Sequence, residues 1–300
     1  MKRSAFTLVE LLVIIAIITL LAALLFTAIN RARETARRNQ CLAHERDLVV
    51  AINDYAGVNS GLPGYLNQLG TTPIHSWAVA LFPHIGENKR YEALMKLPIG
   101  ALPSSELLVS PPTLLCPSDN PRVKRLNYVV NCGPVFDEHI NVDNAIAVTL
   151  FRDRRVGLTS INTKVKISEI PNGANNTILL SENIDVGDEK QSFGWAPLPA
   201  DHDSLSPSDF EFRTASGFYT RDKNAVNSLG FIWSPQKEYA PNELTYPAGS
   251  SSHIPLPRPS SKHPGTVIVG FANGAAKPMN DDIDIMEYLK AVCVDSSKTL

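Results

Sequence analysis

The side chains that could carry chemistry in this 300-residue chain are seven histidines, four cysteines and two groups of aspartates. No histidine belongs to an H-E-x-x-H motif, and the chain contains no Gly-rich phosphate loop and no G-x-S-x-G nucleophile motif. His263 could act as a base or as a metal ligand. A structural role, in which it bonds the backbone beside the turn that follows, explains it better. We therefore expect no catalytic residue and no cofactor.

The aspartates form the two groups that could bind calcium. Asp201 and Asp203 flank His202, with Asp209 close behind them, and Asp281, Asp282 and Asp284 lie together near the end of the chain. Calcium prefers carboxylate oxygens, but neither group has the spacing of an EF-hand loop. Helix capping or solvation accounts for both groups, so we expect no bound metal, and calcium is the alternative.

The four cysteines, at positions 41, 116, 132 and 293, include no C-x-x-C pair. This argues against a zinc knuckle and against a thioredoxin-like motif. Several disulfide pairings are possible, and the sequence does not choose among them. Cys116 and Cys132 are close enough in the chain to close one loop, and buried free thiols are the alternative.

One carboxylate stands alone in an apolar segment. From Phe6 to Ile29, Glu10 is the only charged residue, and the segment has neither Pro nor Gly. As a helix it would be about 36 Å long, enough to cross a hydrocarbon core of roughly 30 Å. It is longer than the apolar core of a signal peptide, and arginines follow it. A buried carboxylate requires a cationic partner, which a plain signal anchor would not provide.

The segment AFTLVELL, which begins at Ala5, resembles the prepilin N-terminal cleavage and methylation motif. The resemblance implies that a prepilin peptidase removes residues 1–5 and that Phe6 becomes a methylated N-terminus. Glu10 would then pair with the N-terminal amine of a neighbouring pilin-like subunit. Ala5 stands where that family usually has Gly. Charges flank both ends of the span, so the outward orientation of the head from the inner membrane rests on the resemblance.

Helical spacing of apolar residues continues beyond the span. No Gly or Pro interrupts residues 30–55, which predicts that the transmembrane helix of residues 6–29 extends as an amphipathic helix over residues 30–56. Residues 57–300 would form the head, with short helices at 76–83 and 87–95. The strand candidates are Leu126–Asn131, Ala145–Phe151, Thr177–Glu182 and Phe231–Trp233.

The end of the chain contains the strongest turn signal of the head. Asn273-Gly274 between two apolar runs predicts a two-residue hairpin, and Asp281-Asp282 would cap a helix from Ile283 to Val292. His263, followed by Asn273-Gly274, resembles the H-x9-DG element of large prepilin-type proteins with a DUF1559 (SBP_bac_10) head. Asn273 stands where that family has Asp.

Together these resemblances imply an α+β, pilin-like fold, with one long helix packed on a mainly antiparallel, β-rich head. The implied function is a pilin-like or pseudopilin subunit of a type II secretion-like or type IV pilus-like assembly, and not an enzyme. The alternative is a membrane-anchored module that binds a solute or a glycan. Its stacking platforms would be Trp77, Trp195, Tyr219 or Trp233. The net charge of −2 provides no basic field for nucleic acid.

Overall fold

The computed structural model of the protein describes residues 8–64, 66–67, 75–97, 104, 106–107, 109–119, 126–134, 165–183, 230–233 and 259–292. Several predictions fall outside these residues: the processing site at Ala5 and Phe6, the aspartates Asp201 and Asp203, and the strand candidate Ala145–Phe151.

Helix α1, Leu8–Asn59, is a single helix of 52 residues that joins the apolar segment to the head. Its apolar segment is exposed along its whole length, and by length and composition it could cross a membrane. The helix continues through Gly57 to Asn59, where the sequence predicted an end at residue 56. It stops because Ser60 adopts a left-handed conformation with φ of 61°, and the Gly61 N–H bonds the Ala56 carbonyl at 3.2 Å.

The head is built on a five-stranded sheet in the order β5-β3-β4-β6-β7. Only the β3–β5 pair is parallel among the strand pairs that the structure describes, which confirms a mainly antiparallel sheet. The strands are β3 Tyr128–Pro134, β4 Ile178–Glu182, β5 Gly230–Trp233, β6 Thr266–Phe271 and β7 Ala276–Asn280; a separate pair joins β1 Leu66–Asn67 to β2 His75–Ser76. The shorter helices are α2 Trp77–Ala80, α3 Asn88–Met95 and α4 Ile285–Val292.

The two faces of the sheet are buried against different helices. Alternate residues of a strand point to opposite faces, and in β3 the side chains of Tyr128 and Val130 pack with Leu48 and Ile52 of α1. Val129 points the other way and packs with Tyr288 of α4. The second half of α1 therefore covers one face of the sheet, and α4 covers the other.

The C-terminal hairpin and helix confirm the predicted elements but differ in their turns. The chain reverses over the three residues Ala272–Gly274, since Phe271 pairs with Ala275, and Gly274 has the positive φ of 88° that such a loop requires. Helix α4 begins at Ile285, and the cap is the carboxylate of Asp284, which accepts from the Met286 N–H at 2.9 Å. The predicted caps, Asp281 and Asp282, lie in the preceding turn.

Candidate functional site

Six titratable or sulfur-bearing side chains meet where α1 packs on the head, and we call them the junction cluster. These residues are far apart in the chain: Glu34 and His263, which are in contact, are separated by 229 positions. The members are Glu34, Cys41 and Glu45 from α1, Cys116 from the turn before β3, Glu182 from the end of β4, and His263 from the loop before β6.

Helix α1 contributes half of the junction cluster because its three members lie on one helical face. Glu34, Cys41 and Glu45 are seven and four residues apart, which places them along one side of a helix. Cys41 and Glu45 are fully buried, and the same face continues into Leu48, Val49 and Ile52 of the core. Burial of this face fixes the helix against the sheet.

Cys41 and Cys116 form a disulfide that ties α1 to the head. The two residues are 75 positions apart, and their Cα atoms are separated by 5.3 Å. The pairing suggested by short spacing, Cys116 with Cys132, is therefore wrong. Short spacing favours a pair only where the chain folds back locally, and here the turn after Leu114 lies against the buried face of α1 and brings Cys116 to Cys41.

Asn127 holds the turn that presents Cys116. Its side-chain oxygen accepts from the Cys116 N–H at 3.0 Å, and its amide donates to Asp119 Oδ2 at 2.6 Å. The turn closes on itself through the Asp119 N–H, which donates to the Cys116 carbonyl at 3.0 Å. These hydrogen bonds fix the turn Cys116-Pro117-Ser118-Asp119 and so position one sulfur of the disulfide.

His263 lies between two glutamates, one from α1 and one from the sheet. Its Nδ1 is 2.7 Å from Glu34 Oε1, and because a carboxylate accepts, Nδ1 carries the hydrogen. Its Nε2 is 3.4 Å from Glu182 Oε1 and 3.6 Å from Cys116 Sγ. Burial lowers the pKa of His263, but the neighbouring carboxylates of Glu182 and Glu34 outweigh it and raise the pKa. The raised pKa favours the imidazolium form, which would bridge helix and sheet electrostatically.

Two buried carboxylates of the junction cluster have oxygens with no hydrogen-bond partner in the part of the chain that the structure describes. In Glu45 neither oxygen has such a partner within these residues, and in Glu182 Oε1 has none. The other oxygen of Glu182, Oε2, accepts from the Ile268 N–H at 3.1 Å. Burial raises the pKa of Glu45 well above its ordinary value of 4.5, and the charge of Glu182 raises it further. The Gly270 N–H offsets part of this effect, although its geometry falls short of a hydrogen bond.

The raised pKa of Glu45 makes the stability of the protein depend on pH. The unfolded chain releases this proton near the ordinary pKa of 4.5, and the folded chain keeps it to higher pH. The stability that Glu45 contributes is therefore fully present in acid and is lost as the pH rises from 4.5 through the raised pKa. We expect Glu45→Gln, which removes the charge, to increase the free energy of unfolding at pH 7 by about 1 kcal/mol or more.

Urea unfolding of the full chain in detergent at several pH values measures this effect. The gain from Glu45→Gln should shrink towards zero below about pH 4, where the wild-type carboxyl is neutral. Glu92→Gln on the exposed side of α3 is the matched control, with an expected change within about 0.5 kcal/mol at every pH. An equal gain from Glu45→Gln at pH 4 and pH 7 would contradict the assignment.

The structure places the other candidate residues away from the junction cluster. Glu10 lies near the start of α1 in its exposed apolar part. Asn273 lies in the hairpin loop, where its oxygen accepts from the Ala275 N–H at 2.9 Å and its amide donates to Asn175. His263 and Asn273 therefore act at separate places, and the expectation that His263 serves only the hairpin misses its carboxylate partners.

Of the four proposed stacking platforms, Trp77 is fully buried in the core and presents no surface to a ligand. The side chains of Trp195, Tyr219 and Trp233 lie outside what the structure describes.

An open cleft of about 370 Å³ is lined mainly by asparagines and by Phe271. Part of its amide surface is already used, because the Asn172 amide donates to the Lys290 carbonyl at 2.7 Å.

Sequence reasoning overlooked Glu34, Glu45 and Glu182. Glu45 had a detectable signal, since it occupies the apolar face of α1 between Cys41 and Leu48, where a solvated acid does not belong. Glu182 closes an apolar strand, which is an ambiguous position. Glu34 lies among the four arginines of residues 31–38, and nothing in that pattern distinguishes it from an ordinary solvated acid.

Two known families match the chain, one at its N-terminal segment and one over the rest of α1 and the head. The family SBP_bac_10, described as a protein of unknown function (DUF1559), matches residues 30–286, a range that includes the whole junction cluster. The prokaryotic N-terminal methylation motif matches residues 1–26. No curated protein and no solved structure matches the chain.

Proposed function

We propose a pilin-like role for this protein, which belongs to the SBP_bac_10 (DUF1559) family and begins with a prokaryotic N-terminal methylation motif. The motif supports processing by a prepilin peptidase and membrane anchoring. The specific role is a subunit of a type II secretion-like or type IV pilus-like assembly. The head would face away from the cytoplasm, with α1 anchored in the inner membrane.

The observation that carries this proposal is the division of α1 into two halves with opposite environments. Over residues 8–29 the large apolar side chains are 40–79% exposed, so this half requires a lipid or protein environment. From Cys41 to Ile52 one face of the same unbroken helix is buried against the sheet. Packing of the exposed halves from several subunits would place the heads around a common helical bundle.

Glu10 would set the register of that packing. A carboxylate in an apolar environment is costly unless it is paired. Cleavage before Phe6 would create an amine close to the carboxylate in sequence, and in an assembly that amine can come from the neighbouring subunit. Pairing would then occur at one axial offset between helices, whereas the surrounding apolar surface alone would tolerate several.

We expect Glu10→Ala to lower incorporation of the protein into an assembly with wild-type chains by about tenfold or more, the factor for a loss of ~1.4 kcal/mol. Cross-linking of a tagged variant to untagged wild-type chains in native membranes measures incorporation. The N-terminal mass of the same samples should show a chain that begins at methylated Phe6.

The matched control is Thr19→Ala, a polar substitution in the same apolar span. The Thr19 hydroxyl already donates to the carbonyls of Ile15 and Ala16 in its own helix, so its loss should leave incorporation unchanged. Normal cross-linking by Glu10→Ala would rule out the register role. An N-terminus still at Met1 in the wild type would indicate a plain anchor.

A membrane-anchored binding module is the second candidate, and the cleft beside Phe271 favours it. Asn175, Asn176 and Phe271 line the cleft together with Glu287 and Lys290, and polar groups beside an aromatic ring suit a small polar solute or a glycan. A glycan array probed with the full chain in detergent tests this function. Binding that Phe271→Ala abolishes and Glu10→Ala leaves intact would support it.

A further inference from the structure

Four side chains of the junction cluster bring two sulfurs, one imidazole nitrogen and one carboxylate oxygen together. The donor atoms of Cys41, Cys116, Glu182 and His263 all lie within 4.8 Å of one another, and all four residues are buried. Two thiolates, an imidazole and a carboxylate form a four-donor set suited to tetrahedral zinc. The four ligands come from α1, the turn before β3, the end of β4 and the loop before β6.

The orientation of His263 is the second observation. Histidines that bind zinc usually donate their outer ring N–H to a carboxylate, which fixes the tautomer and strengthens the inner nitrogen as a ligand. Here Nδ1 donates to Glu34 Oε1 at 2.7 Å, and Nε2 faces Cys116 Sγ and Glu182 Oε1. Ser118 in turn donates to Glu34 Oε1 at 3.1 Å and holds that carboxylate in place.

The third observation is the carboxylate of Glu182. The residue is 1% exposed, and its Oε2 is bonded to the Ile268 N–H, whereas Oε1 makes no hydrogen bond within the described residues and has only the ion-pair contact with His263 Nε2 at 3.4 Å. Buried polar atoms are nearly always paired, and a bound cation is one way to satisfy an oxygen that is not. Oε1 is the oxygen directed at His263, on the side where the sulfurs lie.

We propose that the reduced form of the protein binds Zn²⁺ through Cys41, Cys116, Glu182 and His263. Thiolates are the zinc ligands, so the disulfide and the metal are alternative ways to join α1 to the head. The disulfide accepts two electrons and two protons from a dithiol reductant, which itself becomes a disulfide. Zn²⁺ then displaces the two thiol protons and, where His263 is protonated, the proton on its Nε2. A newly made chain reaches the same dithiol state directly, because its cysteines begin as thiols.

The experiment uses the full chain in detergent with Cys132 and Cys293 replaced by serine, so that the only thiols are those of the site. The oxidised, folded protein is reduced with a phosphine, mixed with Zn²⁺ and freed of unbound metal. Elemental analysis should find about one zinc for each reduced chain and none for each oxidised chain. Co²⁺ in place of Zn²⁺ should give thiolate-to-cobalt charge-transfer bands.

Variants separate the ligands from their surroundings. Cys41→Ser should abolish the thiolate-to-cobalt bands or reduce them to those of the single Cys116 thiolate. His263→Ala should abolish stoichiometric binding of the metal. Glu34→Gln should keep the stoichiometry and weaken the affinity by about 10–100-fold, because it only positions His263.

A reduced protein that stays folded but binds no zinc would overturn the proposal, as would cobalt bands that persist in a variant lacking both Cys41 and Cys116. Unfolding on reduction that zinc reverses would support the proposal, and unfolding that zinc does not reverse would overturn it. The pilin-like role does not depend on the result.

Discussion

Replacing both Cys41 and Cys116 with serine should lower the free energy of unfolding by about 2–4 kcal/mol. The disulfide joins residues 75 positions apart, so it removes a large loop-closure entropy from the unfolded chain. Both sulfurs are buried at the face where α1 meets the sheet. Loss of the bond therefore weakens the attachment of the membrane helix to the head.

Urea unfolding of the full chain in detergent and zinc-free buffer, followed by tryptophan fluorescence, measures this change. Trp77 is fully buried in the core, so its fluorescence changes when unfolding exposes the core to solvent. The comparison is made with Cys132 and Cys293 already replaced by serine, so that no other thiol can pair. A reductant should then lower the stability of the protein with the disulfide to that of the double variant and leave the double variant unchanged. Equal stability in the oxidised state would show that the bond does not constrain the fold.

Gly270→Ala should lower the free energy of unfolding by about 1–3 kcal/mol, the usual cost of overpacking a core. Gly270 lies in β6 beneath α1, and an added Cβ would overlap Cγ2 of Val49 and approach Glu45. Val49 is fully buried and belongs to the core, so it has no free space into which to move. The glycine is required by the close approach of helix and sheet, and not by a special backbone conformation.

Gly57→Ala is the matched control, because it makes the same substitution within α1, where a Cβ would meet no atom within 4 Å. It should increase the free energy of unfolding by about 0.5–1 kcal/mol through a better helix propensity. A second test is the double variant Gly270→Ala with Val49→Ala, which should recover part of the loss because the two sites share one contact. A Gly270→Ala protein as stable as the wild type would contradict this packing.

Short-range patterns predicted most of the elements that the structure describes. The long helix followed from the uninterrupted apolar and then amphipathic spacing up to Tyr55, and the strands near Thr177 and Thr266 followed from β-branched runs bounded by turn residues. The errors lie at element ends, such as the continuation of α1 through Gly57 and the cap at Asp284. These ends depend on one or two hydrogen bonds, which several neighbouring residues can make.

The junction cluster was not predictable in the same way. Glu34 and His263 are in contact across 229 residues, and the disulfide partner of Cys116 is 75 residues upstream, although Cys132 is nearer in sequence. Pairings at such distances are set by which strand lies beneath which helix, and residue spacing contains no record of that arrangement.

The sequence by itself determined that this protein has a methylation-type N-terminus, an apolar helix long enough to span a membrane, and an α+β head, because each depends on a local pattern of residue types. Only the tertiary structure decided that Glu45 is buried, that Cys41 pairs with Cys116, and that His263 lies between two carboxylates. The physical reason is that burial, proton affinity and ligand geometry are properties of groups brought together by packing, and each of these groups comes from a different segment of the chain.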